Sequence, residues 1–486
     1  MPNALSRLPD DALRAATVPA PYQGLTAGEH NGRASPDFRR ELHPWAVLAL
    51  AALAIAGVFA VLLILSRLPQ TQSWLPWVSQ DFFRRALVTH VMFSFVVWYL
   101  AALGALLSLA AARLEEGSLP DRRTARLALG LTLAGSVLLF GPALLDLGEP
   151  SLNNYVPVLV HPVYFSGVAL LFAGVAVAAW RLLRRLPQRW MLADPLTLGL
   201  AITAGLYLLA LLCFVLAWSL IPAATALPTR IEAVFWGGGH LLQFVNTALV
   251  LLGWQMLSEA GLGRPALPGR AFVAAMATLV LFALPAPLFY TVYSPLDIAN
   301  KDAFTNLLWY GLLPAPALVA AGVAWNLGDW RSWPETGSVA RTALVLSLLL
   351  FGVGGGMGYF LGPADTRIPS HYHAVIGGVN LVLMGLYFTL FLPTLLRRPP
   401  TVRGPKWILG LYGFGQLVWS VGMFAAGAQG VPRKTGGAEQ GLDSLGKMLS
   451  MGITGLGGAL AVIGGVLFIA VTLSRLLARR DRLPIR

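Results

Sequence analysis

Two histidines, His371 and His373, stand two positions apart near the start of a hydrophobic stretch that is long enough to cross a membrane. An α-helix turns by about 100° per residue, so the two imidazoles project about 200° apart, on opposite sides of the helix. They cannot chelate one small ion together, but each can bind a different large cofactor. Imidazole is a usual axial ligand of haem iron. The alternative is that both are helix-end histidines bonded to water and loops.

A low-spin haem with two histidine ligands needs a second histidine from another helix at the same depth. His90, near the start of another hydrophobic segment, meets this requirement. The chain has seven histidines, and two of them lie in or beside the N-terminal region. Polar side chains at membrane depth are costly and hence functional by default, although a lone histidine in such a helix more often packs than ligates. Five histidines lie toward the same end of their segments: His90, His161, His240, His371 and His373.

The composition is that of a polytopic membrane protein, with 56% hydrophobic residues, 12% charged residues and a mean hydropathy of +0.68. The net charge of +13 does not indicate nucleic acid, because the basic residues form short blocks between apolar runs. Membrane lipids are therefore the expected surroundings. The single cysteine, Cys213, excludes a disulfide within the chain, and the absence of CxxCH excludes c-type haem attachment.

Twelve apolar segments follow one another, each about long enough to span a hydrocarbon core of ~30 Å. With the N-terminus inside, the inner connections and the two termini hold 26 of the 35 Lys and Arg residues, which predicts that both termini are cytoplasmic. The expected fold is an all-α membrane protein with twelve transmembrane helices. The segments cover residues 44–66, 87–112, 127–147, 157–180, 195–221, 231–257, 271–293, 304–326, 342–362, 369–396, 406–427 and 449–474.

Composition divides the chain into three parts. Residues 1–42 begin with a stretch rich in Pro, Ala, Ser and Arg, and are predicted to be a flexible cytoplasmic extension. Residues 43–476 form the membrane domain, and residues 477–486 form a basic cytoplasmic tail. Neither an inverted repeat nor an interrupted pair of helices is evident, which argues against a transporter.

Five motifs resemble subunit I of the haem-copper oxidases, most closely its B-type (ba-type) branch. SHYHAVIGG resembles the segment-10 motif GHFHxxxxS/G, LVTHVMF the segment-2 motif, EAVFWGGGHLLQF the segment-6 motif WWTGHPxVYF, GVPRK the MPRR motif, and YVPVLVHP the YPPLxxH motif. The resemblance implies a haem-copper oxidase subunit I-like bundle. It implies that His90 and His373 ligate a low-spin haem and that His371 ligates a high-spin haem. It also implies that Arg433 and Lys434 contact haem propionates.

The resemblance fails at copper B. In the family, copper is held by the segment-6 histidine and a pair of histidines at the outer end of segment 7, but no histidine occurs between His240 and His371. Neither Phe nor Ala has a lone pair for a metal. We therefore expect two haems of unknown type and no copper B. In one alignment, Phe289 and Tyr290 hold the places of the histidine pair, and in the other Ala286 and Pro287 hold them. Phe244 holds the place of the redox-active tyrosine.

The polar side chains left near the expected gas site are mostly neutral. His240, Gln243 and Tyr290 are the candidate catalytic residues, as hydrogen-bonding partners of a haem-bound gas or a water. His240 faces the high-spin haem, ligates it, or packs. Glu232 lies eight residues before His240, about 12 Å toward the surface. Segment 8 is nearly all apolar, with Tyr310 as its main polar interruption, so no proton route from the cytoplasm is expected, whereas an outside route stays open.

Two functions from different classes follow. The first is an oxidoreductase like cytochrome oxidase or nitric oxide reductase, with a degenerate binuclear site, in a bacterial or archaeal cytoplasmic membrane. It would take electrons from a subunit II-like or cytochrome c-type donor on the outer face and reduce dioxygen or nitric oxide. The second is a non-catalytic electron-transfer or gas-binding haem subunit of a larger complex.

Overall fold

Twelve helices long and apolar enough to cross a membrane lie within the part of the chain that the structure describes, which confirms the predicted fold class. The computed structural model describes residues 36–67, 75, 79–115, 121–189, 191, 193–362, 364–396 and 404–477. The helices are α1 (Phe38–Ser66), α2 (Asp81–Leu114), α3 (Arg122–Leu144), α4 (Pro162–Gln188), α5 (Pro195–Leu220), α6 (Leu227–Leu262), α7 (Gly269–Val292), α8 (Ile298–Gly328), α9 (Glu335–Phe360), α10 (Arg367–Leu395), α11 (Pro405–Ala428) and α12 (Leu445–Leu477).

The three most buried helices are α2, α6 and α10. Their most apolar windows are 89%, 94% and 78% buried, against 28–56% for the other nine described helices. These three helices also carry His90, His240, His371 and His373. Polar side chains therefore enter the membrane where protein, and not lipid, surrounds them.

The predicted domain limits at both ends of the chain are only partly within the described residues. The whole helix that contains the apolar span α1 runs from Pro36 to Arg67, so residues 36–42 of the expected flexible extension are helical. Residues 1–35 lie outside the described part, as do residues 478–486 of the predicted basic tail. The last described residue, Leu477, ends α12.

The fourth segment begins later than predicted. Residues 158–160 form a strand, β2 (Val158–Val160), which pairs antiparallel with β1 (Glu149–Ser151). The helix starts only at Pro162, whose fixed φ suits a first turn, and His161 caps it by accepting a hydrogen bond at Nδ1 from the Val163 amide at 3.3 Å. His161 is thus a capping residue at the end of a hairpin, and not part of the helix.

The expectation that no pair of helices is interrupted was wrong. Helix α7 passes into a 3₁₀ turn at Ala286–Leu288, beside Pro285 and Pro287, and α8 is broken before Pro314. Proline lacks the amide donor that continues a helix, so two prolines two positions apart break the hydrogen-bond ladder. A π-helical turn, Met92–Val97, begins two residues after His90, and such turns are frequent at functional sites.

An ion cluster ties three helices together at the end of the bundle away from these histidines. Arg181 of α4 is 2% exposed and donates from Nε to Glu115 at 3.0 Å and from Nη2 to the same carboxylate at 2.8 Å. Its Nη1 pairs with Glu41 of α1. Because Glu115 directly follows α2, the guanidinium joins α1, α2 and α4.

Candidate functional site

His90 and His373, which were predicted to share a cofactor, line one pocket. We call it the two-histidine pocket, and the end of the bundle that holds it the histidine end. His90 comes from α2 and His373 from α10. The rest of the lining includes Leu87, Val91, Thr366, Pro369, Tyr372, Trp419, Met423, Val431, Pro432, Arg433, Lys434, Thr435, Gln440 and Met451.

Neighbouring groups orient both imidazoles. The Nδ1 of His90 lies 2.9 Å from the carbonyl oxygen of Ala56 on α1. A carbonyl only accepts, so Nδ1 carries the proton and Nε2 carries the lone pair of the ring. The ring of His373 packs on Trp419 of α11, with centroids 3.9 Å apart. Trp419 was not a predicted site residue, because nothing in its spacing connects it to α10.

The predicted basic pair lies at the rim of the same pocket. Arg433 donates from its backbone amide to the Ala364 carbonyl at 3.2 Å, and Lys434 donates from Nζ to the carbonyl of Leu152. Burial, and then the charge of Arg433, lowers the pKa of Lys434 to about 8, while Glu232 acts against this change. Two cations crowded at a buried rim are stabilised by an added anion, so the rim suits carboxylate groups.

His371 lies on the other side of α10, as the helical angle predicted. Its Nδ1 is 2.6 Å from the carbonyl oxygen of Gly354 on α9, so here too Nδ1 carries the proton and Nε2 the lone pair. A Cβ on Gly358 would stand only 3.0 Å from the His371 ring, so glycine leaves room for the imidazole at this turn. The two histidines of α10 therefore serve separate regions of the bundle.

His240 is buried, and both of its ring nitrogens are engaged. Nδ1 lies 2.7 Å from the Trp236 carbonyl oxygen, so it must be the protonated nitrogen. Nε2 lies 3.0 Å from the Tyr155 hydroxyl, which therefore donates to the only lone pair of the ring. The rings of Tyr155, Trp236 and Phe304 surround it at centroid distances of 4.4, 4.8 and 5.9 Å.

The other two candidate catalytic residues, both within the described part of the chain, make no hydrogen bond to this imidazole. Gln243 donates from Nε2 to the Gly239 carbonyl of its own helix at 3.2 Å. Tyr290 packs on Phe304, with ring centroids 5.4 Å apart. Its buried hydroxyl has no hydrogen-bond partner among the described residues. Phe304 thus contacts the rings of both Tyr290 and His240, but no hydrogen bond joins the three candidate side chains in the described part of the chain.

Tyr155 is the functional candidate that the sequence analysis missed. It is the first residue of YVPVLVHP, the motif that drew attention to His161 instead. Gly239 makes its position feasible, because a Cβ at residue 239 would overlap the Tyr155 side chain. The partner of His240 thus lies 85 residues away in the sequence.

These residues do not suit copper B. The described part of the chain holds no group of three or more His, Cys, Asp or Glu side chains that could bind a metal ion. The one histidine in the expected place, His240, gives its lone pair to a phenol. Phenylalanine and alanine at positions 289 and 286 have no donor atoms to replace the missing imidazoles.

Comparisons with known proteins agree with this architecture. A family model described as Cytochrome C and Quinol oxidase polypeptide I matches residues 43–466. An uncharacterized protein of Rickettsia prowazekii is 24% identical over an alignment of 494 residues, and the alignment covers 88% of this chain and 94% of that protein. An uncharacterized protein of Aquifex aeolicus is 30% identical over 348 residues, which cover 71% of this chain and 83% of that protein.

Among solved structures, a cryo-EM structure of a haem-copper terminal oxidase dimer superposes with a TM-score of 0.69 and 16% sequence identity. The superposition covers 92% of this chain and 86% of the oxidase chain. At that identity the likeness shows the fold. Together with the family match across nearly all of the membrane region, it identifies the chain as a member of the cytochrome c and quinol oxidase polypeptide I family, the haem-copper oxidase subunit I proteins.

Proposed function

We propose that this chain is a respiratory subunit I that holds two haems and reduces a small gas, dioxygen or nitric oxide, without copper B. The low-spin haem would lie between His90 and His373, and the high-spin haem would bind to His371. The observation that carries this proposal is the placement of His373 in a pocket with His90, while His371 bonds α9 on the other side of α10.

The protonation of the imidazoles supports haem binding. His90 and His371 each direct Nδ1 to a backbone carbonyl, which keeps Nε2 as the lone-pair nitrogen, as in histidine ligands of metals. Arg433 and Lys434 at the rim would pair with propionates. A haem with one free axial position binds a diatomic gas and supplies electrons to it.

The proposal that copper B is absent is supported by the donor set. Two of the three family ligands are replaced by residues without imidazole, and Tyr155 occupies the lone pair of the third, His240. Restoring a copper site would require two new histidines and displacement of the Tyr155 hydroxyl. We assign to His240, Gln243 and Tyr290 the polar surroundings of the gas.

The orientation in the membrane and the partners belong to the same proposal. The histidine end would face outside, in a bacterial or archaeal cytoplasmic membrane; the excess of Lys and Arg at the opposite end supports this orientation. A subunit II-like protein or a cytochrome c-type donor would then supply electrons from outside. The YVPVLVHP motif favours the B-type branch of the family.

A non-catalytic electron-transfer or gas-binding haem subunit is the second candidate. The observation that favours it is that His240 bonds Trp236 and Tyr155, so the three candidate catalytic side chains do not form one hydrogen-bonded group. A subunit of this kind would still bind carbon monoxide at the His371 haem, but it would not turn over dioxygen or nitric oxide.

Metal analysis with optical spectroscopy tests the proposal. We expect the purified protein to contain two haems per chain and no stoichiometric copper, and the reduced form to give a carbon monoxide band. His371→Leu should abolish that band because it removes the proposed ligand, whereas His161→Leu should leave it unchanged. Stoichiometric copper would refute the copper-free site, and a reduced protein without a carbon monoxide adduct would refute the open haem. Consumption of dioxygen or nitric oxide by the reduced protein then separates the enzyme from the non-catalytic subunit.

A further inference from the structure

An open cavity of about 280 Å³ lies beside the start of α6 at the histidine end. Its lining includes one acidic and one basic side chain, Glu232 of α6 and Lys301 of α8. The remaining lining residues are Pro228, Thr229, Ala233 and Leu296. A cavity of this size with charged walls holds water. It therefore brings solvent to the Glu232 carboxylate.

The hairpin connection between β1 and β2 lies next to that carboxylate. Asn154 donates from Nδ2 to Glu232 Oε1 at 3.1 Å. The side chain of Asn153 bonds the backbone of Val156 in both directions, which fixes the turn. Because Asn154 and Tyr155 are adjacent, the bond to Glu232 and the bond to His240 are made by neighbouring residues of one fixed turn.

Tyr155, the residue after Asn154, contacts His240. Its hydroxyl donates to His240 Nε2 at 3.0 Å. Burial, and then the charge of Glu232, raises the pKa of the Tyr155 phenol, so the hydroxyl keeps its proton and is a donor at neutral pH. The charged side chains nearby are Glu232 and Lys301 at the cavity and Lys434 at the rim of the two-histidine pocket.

The opposite end of the bundle offers no comparable connection through α8. The main polar residue of its middle, Tyr310, is 71% exposed and faces away from the bundle. Its flanking residues Leu313 and Leu318 are also exposed. Of the two ends of the bundle, the histidine side is thus the one where a solvent-filled cavity and hydrogen-bonded polar residues lie near His240.

We propose that Glu232, Tyr155 and His240 form a proton inlet that opens at the histidine end and leads to the proposed gas site. This inference rests on the proposed function, since only reduction chemistry at that site consumes protons. It adds the side of the membrane from which they come.

The transfer balances as two linked movements. A proton from cavity water, passed by Glu232 and bridging water, binds the Tyr155 oxygen while the phenol proton moves to His240 Nε2. Tyr155 is neutral again at the end, and His240 has become an imidazolium with Nδ1–H on Trp236 and Nε2–H on Tyr155. The net change is that one proton is taken from the cavity. Its positive charge balances the negative charge of one electron delivered to the proposed gas site.

Proton uptake during reduction tests the inlet without knowledge of the natural gas. The protein with its haems is placed in liposomes in a known orientation and reduced under carbon monoxide. One pH dye is outside the vesicles and another is inside. We expect reduction to take up protons from the histidine side. This uptake should be lost in Tyr155→Phe and in Glu232→Gln, while the carbon monoxide band is kept.

Two matched controls accompany these variants. Tyr164→Phe removes a buried hydroxyl that bonds the Pro157 carbonyl of the same connection, and Glu149→Gln neutralises an exposed carboxylate of β1. Both should retain the uptake. Uptake from the opposite side, or uptake unchanged in both test variants, would overturn the inlet. Absence of a carbon monoxide band in the unsubstituted protein would instead overturn the proposed function.

Discussion

Replacing His373 with leucine is expected to remove one of the two proposed haems and leave the other in place. Leucine has no lone pair, so one of the two side chains that would hold the proposed low-spin haem is lost. His371 bonds Gly354 on the other side of α10 and is not disturbed by this change. Haem content per chain and the low-spin optical bands should fall, while the carbon monoxide band of the reduced protein remains.

His90→Leu should have the same effect, because His90 lines the same pocket from α2 and is the other proposed ligand. The matched control is His161→Leu, which changes a histidine at the same end of the bundle that caps α4 and does not line the pocket. Retention of both haems in His373→Leu would contradict the assignment. Loss of the carbon monoxide band in that variant, with the low-spin bands unchanged, would show that the two histidines of α10 have been assigned to the wrong haems.

Arg181→Leu is expected to cause the largest loss of stability among single substitutions at the opposite end. It leaves the Glu115 carboxylate buried without its guanidinium partner and also removes the partner of Glu41. Breaking a buried ion pair from one side costs about 3–5 kcal/mol, because the remaining charge has lost both water and partner. The measurement is the free energy of unfolding in detergent, from denaturant titration monitored by circular dichroism.

Two variants sharpen this test. Arg184→Leu breaks the ion pair with Asp121. The Arg184 side chain is 35% exposed, so the free energy of unfolding should fall by about 1 kcal/mol or less. Adding Glu115→Leu to Arg181→Leu should recover part of the loss, since it removes the stranded charge. A change of less than about 1 kcal/mol in Arg181→Leu would mean that water reaches the cluster and screens it.

The twelve helices and the opposite directions of His371 and His373 could be predicted because both depend on local regularities. A membrane helix is recognised by its own length and hydropathy, without knowledge of its neighbours. The angle between residues two positions apart follows from the pitch of one helix. The errors fell where prolines intervened, at the start of α4 and within α7 and α8, because proline changes the backbone bonds that the hydropathy of a segment does not report.

Contacts between distant residues could not be predicted in the same way. The sequence suggested Gln243 and Tyr290 as neutral polar candidates beside His240, but the hydrogen-bond partners of His240 in the structure are Trp236 and Tyr155. The contact of Tyr155 with His240 needs a turn fixed by Asn153 and the small Gly239 opposite.

By itself, the sequence determined that this protein is a twelve-helix membrane bundle with histidines at one depth. It also determined that two of them lie on opposite sides of one helix and that the histidine pair expected near His240 is missing. Only the tertiary structure decided that His90 and His373 line the same pocket and that a tyrosine occupies the lone pair of His240. The physical reason is that hydropathy and helical pitch act within a segment. The pocket and the tyrosine contact depend on how segments separated by 85 residues or more pack against one another.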